Sequence, residues 1–175
     1  MVSSHQQQSS PCGRLAAAWE VLRQIPDPEV PVISLCELGI VRGLHETAAG
    51  LEVVLTPTYS GCPATELIQD DVRAALAAFG EIQITMQRAP AWTTDWISEE
   101  GREKLRAYGI APPGRVLSAE AQPIRLVHRA SLNKLACPRC GSDHTEKLSA
   151  FGSTACKALY RCLACQEPFE HFKPI

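Results

Sequence analysis

The chain has 175 residues, 17 Lys and Arg against 19 Asp and Glu, a formal net charge of −2 and 45% hydrophobic residues. That length suits one modest domain with a small appendage, and the near-neutral balance gives no electrostatic footprint for nucleic acid as the main partner. No run reaches the roughly 18 to 20 apolar residues of a membrane span, and the start is rich in Ser and Gln with no apolar signal core, so a soluble cytoplasmic protein is expected.

Eight cysteines in such a chain point to metal or thiol chemistry before disulfides, because cytosolic reductants keep thiols reduced. Cys12, Cys36 and Cys62 are scattered singly, whereas Cys137, Cys140, Cys156, Cys162 and Cys165 crowd the end of the chain.

Ser10-Pro11 offers a cap and a first-turn proline, and Leu15, Ala18, Trp19, Leu22 and Ile25 repeat on one face of a first helix. The run Pro26-Asp27-Pro28-Glu29-Val30-Pro31 stops it, since prolines remove donors and keep their predecessors extended. Asp27 and Glu29 are candidate ligands or bases, although acids in turns are more often solvated. A turn through Glu37-Leu38-Gly39 leads to a strand from about Ile40, Ala49-Gly50 marks a hairpin, and Leu51 to Leu55 is continuous enough for a central strand.

Thr56 to Glu66 joins that strand to a periodic helix that Pro63 can open and Gly80 can close. It sets Cys62 at a helix start, where unpaired N–H groups favour thiolate, so Cys62 is expected to titrate low and react first. The competing reading is a tight strand-to-helix corner. Ile82, Ile84 and Met86 alternate as a third strand, parallel to the second. Trp92 and Trp96 suit either a partner anchor or a cap on the sheet edge, and a charged helix runs from Glu99 to Tyr108 before Gly109.

Cys137-Pro138-Arg139-Cys140 and Cys162-Leu163-Ala164-Cys165 are two C-x2-C knuckles with 21 residues between them. Four thiolates at this spacing predict a structural zinc in a ribbon of short strands, and the metal supplies folding free energy that so short a segment cannot draw from a core. Rubredoxin-like iron or an iron–sulfur cluster uses the same ligand set. Lys134, Arg139, Lys157 and Arg161 are placed to offset the charge of the site, and the complete cysteine set makes His144 and His171 unnecessary as ligands. Gly152 to Lys157 lacks the order of a phosphate loop. Cys156 is the odd sulfur, read as a small buried strand residue or as a thiol lowered by its basic neighbour.

The expected fold class is therefore α+β: a small three-stranded mixed sheet covered by helices, with a C-terminal four-cysteine zinc ribbon. The expected divisions are residues 10–110, a linker over 111–130, and the ribbon over 131–175, each module with its own source of stability.

Asp27-Pro28-Glu29-Val30-Pro31, Glu37-Leu38-Gly39-Ile40-Val41 and Thr56-Pro57-Thr58 with Gly61-Cys62-Pro63 resemble the motifs of the small α/β domain of cytosolic iron–sulfur assembly and targeting proteins. Adding Trp92 to Ile97, Gly109-Ile110-Ala111-Pro112-Pro113, Phe151 to Lys157 and Glu167-Pro168-Phe169, the whole chain resembles the PaaD family, the D components of bacterial phenylacetate degradation. The resemblance implies a role beside the multicomponent monooxygenase that epoxidises the ring of phenylacetyl-CoA, with a di-iron oxygenase and a flavin and [2Fe–2S] reductase; it does not imply a catalytic subunit. It carries over Cys62 as the sulfur of the Gly-Cys-Pro motif and Asp27 in the Asp-Pro-Glu loop. Glu37 stands where the broader assembly family usually has Asp.

The leading expectation is thus a maturation factor in which Cys62, with Asp27 or Glu29, transiently holds iron or a cluster while the ribbon and the Trp92/Trp96 region dock the client. A structural or electron-transfer component of the monooxygenase, and a zinc-ribbon nucleic-acid binder, are the alternatives. The expected partners are the oxygenase and/or reductase components, a homodimer is compatible with the sequence, and neither membrane nor nucleic acid is expected.

Overall fold

A computed structural model describes residues 11–59, 61–114 and 135–174. Helix α1 spans Pro11–Leu22 and turns Ala18 and Leu22 fully inward. Strands β1 (Val41–Glu46) and β2 (Gly50–Leu55) form an antiparallel hairpin, and β3 (Glu81–Met86) pairs parallel to β2 from Gly50↔Glu81 to Leu55↔Met86. The order is β1-β2-β3, so the continuous apolar run does occupy the centre of a mixed sheet. Leu51, Val53 and Leu55 point to one face and are at most 1% exposed. They share one core with Ala18 and Leu22 of α1 and with Ile68 and Val72 of α2 (Thr65–Ala75).

Helix α2 begins two residues later than Pro63 would allow. Gly61 to Ala64 form a separate turn, with Cys62 N–H donating to the Tyr59 carbonyl and Thr65 N–H to the Cys62 carbonyl, both at 3.3 Å. At its far end α2 gives way to a 3-10 turn, Ala77–Phe79, and Gly80 at φ +95° closes that turn rather than the α-helix.

Helix α3 covers Glu99–Tyr108 as its signals require: the Ser98 hydroxyl accepts from Gly101 N–H and Gly109 terminates it in the left-handed region. The chain then enters β4 (Ile110–Ala111), which pairs parallel to β7 (Pro168–Phe172) at the edge of a second sheet ordered β4-β7-β6-β5, with β5 at Thr145–Ser149 and β6 at Lys157–Cys162. The expected linker over 111–130 falls mainly outside the described residues; its first residue, Ala111, lies in this strand.

The two modules share a packed seam. Phe172 and Cys156 belong to the large core, and a second, smaller cluster of Ala111, Cys137, Cys162 and Phe169 lies inside the ribbon. Trp92 is 3% exposed, donates from Nε1 to the Leu38 carbonyl at 2.9 Å and packs against Phe172. It is internal glue, which corrects the expectation that it docks a client. Trp96 lies under the Arg42 guanidinium, 3.5 Å from the ring centroid, and against Gly39. Gly39 has φ +73° and a side chain there would meet Trp96 Cβ at 2.7 Å, so only glycine fits. Among the described residues no helix is long and apolar enough to cross a membrane.

Candidate metal sites

The two knuckles come together as the spacing requires. Cys137 opens a turn closed by Gly141 N–H on the Cys137 carbonyl, with Gly141 at φ +76°, and Cys162 ends β6, its sulfur accepting from Cys165 N–H at 3.5 Å. The sulfurs of Cys137 and Cys165 are 3.8 Å apart, those of Cys140 and Cys162 3.5 Å, and all four lie within 4.8 Å of one another. A tetrahedron of zinc–sulfur bonds of about 2.3 Å has edges of about 3.8 Å, so these side chains fit a four-thiolate metal. Among the described residues no histidine joins the group.

Two of the expected compensating cations are engaged elsewhere. Lys157, 4% exposed, pairs with Glu170 at 2.9 Å, and Arg161 pairs with Glu146 across β5 and β6. Lys134 lies outside the described residues.

The second cluster begins in the proline loop. Asp27 is 6% exposed rather than solvated, and its Oδ1 accepts from Glu29 N–H at 2.9 Å and Val30 N–H at 2.8 Å. Because Pro28 and Pro31 donate nothing, the loop closes through this carboxylate and through Asp27 N–H to the Ile33 carbonyl at 2.8 Å. Burial pushes the Asp27 carboxyl up, against the two N–H groups and Lys157. Glu29 is half-buried and is also pushed up, first by burial and then by Asp27.

Cys62, in the turn before α2, lies within electrostatic range of both acids. Burial pushes its thiol up, and Glu29 and Asp27 push the same way, so the Ala64 N–H and the Thr65 hydroxyl are outweighed. This corrects the expectation of a low-titrating sulfur: Cys62 stands ahead of the helix rather than at its first turn, and the local charge is negative. Tyr59 interacts electrostatically with Cys62, Glu29 and Cys156.

Cys156 arrives from the ribbon, one residue before β6. It is 5% exposed, 3.0 Å from the Thr154 hydroxyl and 3.9 Å from Glu29 Oε2. Sequence reasoning kept Cys156 apart from the proline loop, because 127 residues separate it from Glu29. The signal that could have joined them is a run of small residues, Gly152 to Ala155, holding a single thiol beside a lysine. Glu37 stays outside the cluster: its Oε2 accepts from Ser34 N–H at 2.8 Å and its other oxygen pairs with Lys104 at 2.5 Å, tying α3 to the turn that precedes β1.

Residues 15–85 match the profile described as "Iron-sulfur cluster assembly protein", and residues 122–173 match "PaaD zinc beta ribbon domain". An Escherichia coli protein, named as the putative D component of 1,2-phenylacetyl-CoA epoxidase, is 48% identical over 160 residues, which cover 90% of this chain and 91% of that one. A Porphyromonas gingivalis protein named "Fe-S protein maturation auxiliary factor" is 33% identical over 49% of this chain and 84% of its own. A solved domain of unknown function, DUF59, from Bacillus anthracis is 23% identical, with a TM-score of 0.49 over 53% of this chain and 91% of that chain.

Proposed function

The chain belongs to the PaaD family, the D components of phenylacetyl-CoA epoxidase, and from that premise we propose that it matures a metal centre, iron–sulfur or di-iron, of the phenylacetyl-CoA monooxygenase in phenylacetate catabolism. The observation that carries this reading is the proline loop, with Asp27 buried and Glu29 half-buried, within electrostatic range of Cys62 in an assembly-type domain. Carboxylates and a thiolate suit iron in transit: they bind it well enough to deliver it, and the groups must lose protons to do so, which makes uptake reversible.

The iron or cluster is cargo. Cys62 is its soft ligand, Asp27 orients the loop through its two backbone N–H partners, and Glu29 supplies the more exposed carboxylate. In the ribbon, Cys137, Cys140, Cys162 and Cys165 would hold zinc. With every position taken by a protein sulfur, that metal stabilises the fold and offers no open position for chemistry. The protein thus needs no catalytic residue, and it works in the cytoplasm on the oxygenase or the reductase.

The test is to produce oxygenase and reductase with this chain, without it, and with Cys62→Ser. Activity and client iron should fall in the second and third cases, while purified, fully metallated components should turn over without it. A stoichiometric requirement during turnover of matured components would replace this reading by that of a structural or electron-transfer component.

A further inference from the structure

Two of the four large apolar side chains that the described residues expose stand three positions apart on the ribbon: Leu148, 49% exposed, and Phe151, 64% exposed. Leu148 lies in β5, the outer strand of its sheet, where the register to β6 shifts between Lys147 and Ser149. Phe151 follows in the turn that leads to β6. We propose that Phe151 and Leu148, with Lys147 and Lys173 beside them, form a docking surface for another protein, and that the segment seated there carries an apolar side chain flanked by Asp or Glu. That this partner is a client, the oxygenase or the reductase, rests on the maturation reading above. The chemistry of the surface does not.

The exposure of Phe151 is built into the turn. Phe151 N–H donates to Ser149 Oγ at 3.1 Å, Gly152 N–H to the Lys157 carbonyl at 2.8 Å, and Ser153 N–H to Glu170 Oε1 at 2.5 Å. Glu170 is itself fixed by the buried Lys157 at 2.9 Å, and it lies so close to Gly152 that a side chain at that position would collide with its Oε1. The backbone around Phe151 is thus tied to β6 and β7, and the ring projects from a fixed base. Lys173 props it from one side, with Nζ 4.6 Å from the ring centroid and 3.4 Å from the Ala150 carbonyl to which it donates. An aromatic ring already held in place gives up little freedom on binding, which is what an interface anchor requires.

Charge decides what sits on it. The acids near this edge are taken, Glu146 by Arg161 and Glu170 by Lys157. Lys147 and Lys173 lie over the rings of Tyr160 and Phe151, and among the described residues neither is paired with a carboxylate. Two cations without counter-ions beside two exposed apolar side chains complement an acidic segment with an apolar anchor. A second copy of this chain docking through the same patch would set lysine against lysine. Nucleic acid would also meet cations and a ring, but Leu148 offers no stacking face and the chain carries a net charge of −2. The register shift at Leu148 blunts plain strand addition to β5, so side chains carry the contact.

The experiment immobilises the full chain, loaded with one equivalent of zinc, and measures Kd and association rate by surface plasmon resonance against purified metal-free oxygenase and, separately, reductase, at low and high salt. The wild type should bind one of them. Phe151→Ala should weaken that binding about thirtyfold or more, the loss of an interface anchor, and Leu148→Ala should weaken it by a smaller factor. Melting temperature and zinc content should stay as in the wild type, since both side chains are exposed. Lys147→Gln and Lys173→Gln should slow association and flatten its salt dependence. Leu67→Ala, which removes an exposed apolar side chain from α2, should bind like the wild type. The surface is overturned if the wild type binds neither component, or if Phe151→Ala binds as tightly as the wild type. It is also overturned if the Phe151-dependent ligand proves to be single-stranded DNA or a second copy of this chain, tested by the same assay and by sedimentation. If Phe151→Ala loses binding yet clients recovered from cells carrying it hold normal iron, the surface stands and the maturation reading falls. If binding is unaffected while Cys62→Ser still lowers client iron, the surface falls and the maturation reading stands.

Discussion

Trp92 and Phe172 meet across the seam of the two modules with ring centroids 6.0 Å apart and planes tilted by 47°. Phe172, 1% exposed, comes from the last strand of the ribbon, and Trp92 reaches back through Nε1 to the carbonyl of Leu38 in the turn before β1. Each module therefore completes the other's core. Phe172→Ala should cost about 3 to 5 kcal/mol, the usual loss for a buried Phe, and should lower the melting temperature of the whole described unit in one transition. Two transitions, with only the ribbon's shifted, would mean that the seam contributes little.

The same seam changes what metal removal should do. From the sequence, each module has its own stability, so emptying the four-cysteine site should leave the first domain untouched. With Phe172 and Cys156 in the large core and β4 in the ribbon's sheet, Cys162→Ala or chelation should unfold the ribbon and also destabilise the first domain. Structural zinc sites of this type supply about 10 to 16 kcal/mol of apparent binding free energy, far more than a short segment can replace. Hydrogen exchange would check this: amides of β2 should lose protection on chelation, though less than those of β6. Unchanged β2 protection would restore independent modules.

Periodicity and punctuation made the first sheet, α1 and α3 legible, because β2 is continuous, β3 alternates, and Ser98 and Gly109 bracket α3 with chemistry that has one structural meaning. The four-cysteine site was legible for the same reason: its spacing has few other uses. What could not be read were events at a distance. Asp27 looks like a solvated turn acid until Val30 N–H folds onto it, and Cys62 looks like a helix-start thiol until Pro63 and Ala64 prove to be in a turn ahead of α2. Trp92 offers the same composition to a partner or to a core, and only Phe172, 80 residues on, decides between them. Cys156 belonged to neither module's pattern, since its neighbours come from both.

Cys36 offers a direct check on thiol chemistry away from the metals. Burial pushes it up to about 11, with Arg23 opposing and Glu37 adding to the shift. At pH 8 about one thiol in a thousand is then ionised, and the thiolate is the nucleophile. Its alkylation rate should be very low at neutral pH and rise about tenfold per pH unit up to about pH 11. A plateau near pH 9 would show an ordinary exposed thiol. Glu37→Gln removes the nearby negative charge and should speed the reaction, provided that its bond to Ser34 N–H survives.

His171 gives the pH dependence with the clearest sign. It lies on β7 opposite Ala158, with its ring edge-on to Tyr160 at 5.6 Å. Burial holds it down, and Lys147 adds to the effect, so its imidazole titrates at about 4 instead of 6.5. The native state thus keeps His171 neutral where the unfolded chain protonates it. Stability from this residue is full above pH 6.5, falls as pH drops from 6.5 towards 4, and changes no further below that. The gap corresponds to about 3 kcal/mol at most, and to about 1 to 2 kcal/mol once screening of a partly exposed ring is allowed for. An NMR titration of the folded, zinc-loaded protein should find the His171 ring still neutral at about pH 5.5. Denaturant melts of wild type and His171→Gln should differ in slope between pH 4 and 6.5 and run parallel above it. Titration of His171 near 6.5, or identical slopes throughout, would place the ring in solvent and remove it from the packing of β7 against β6.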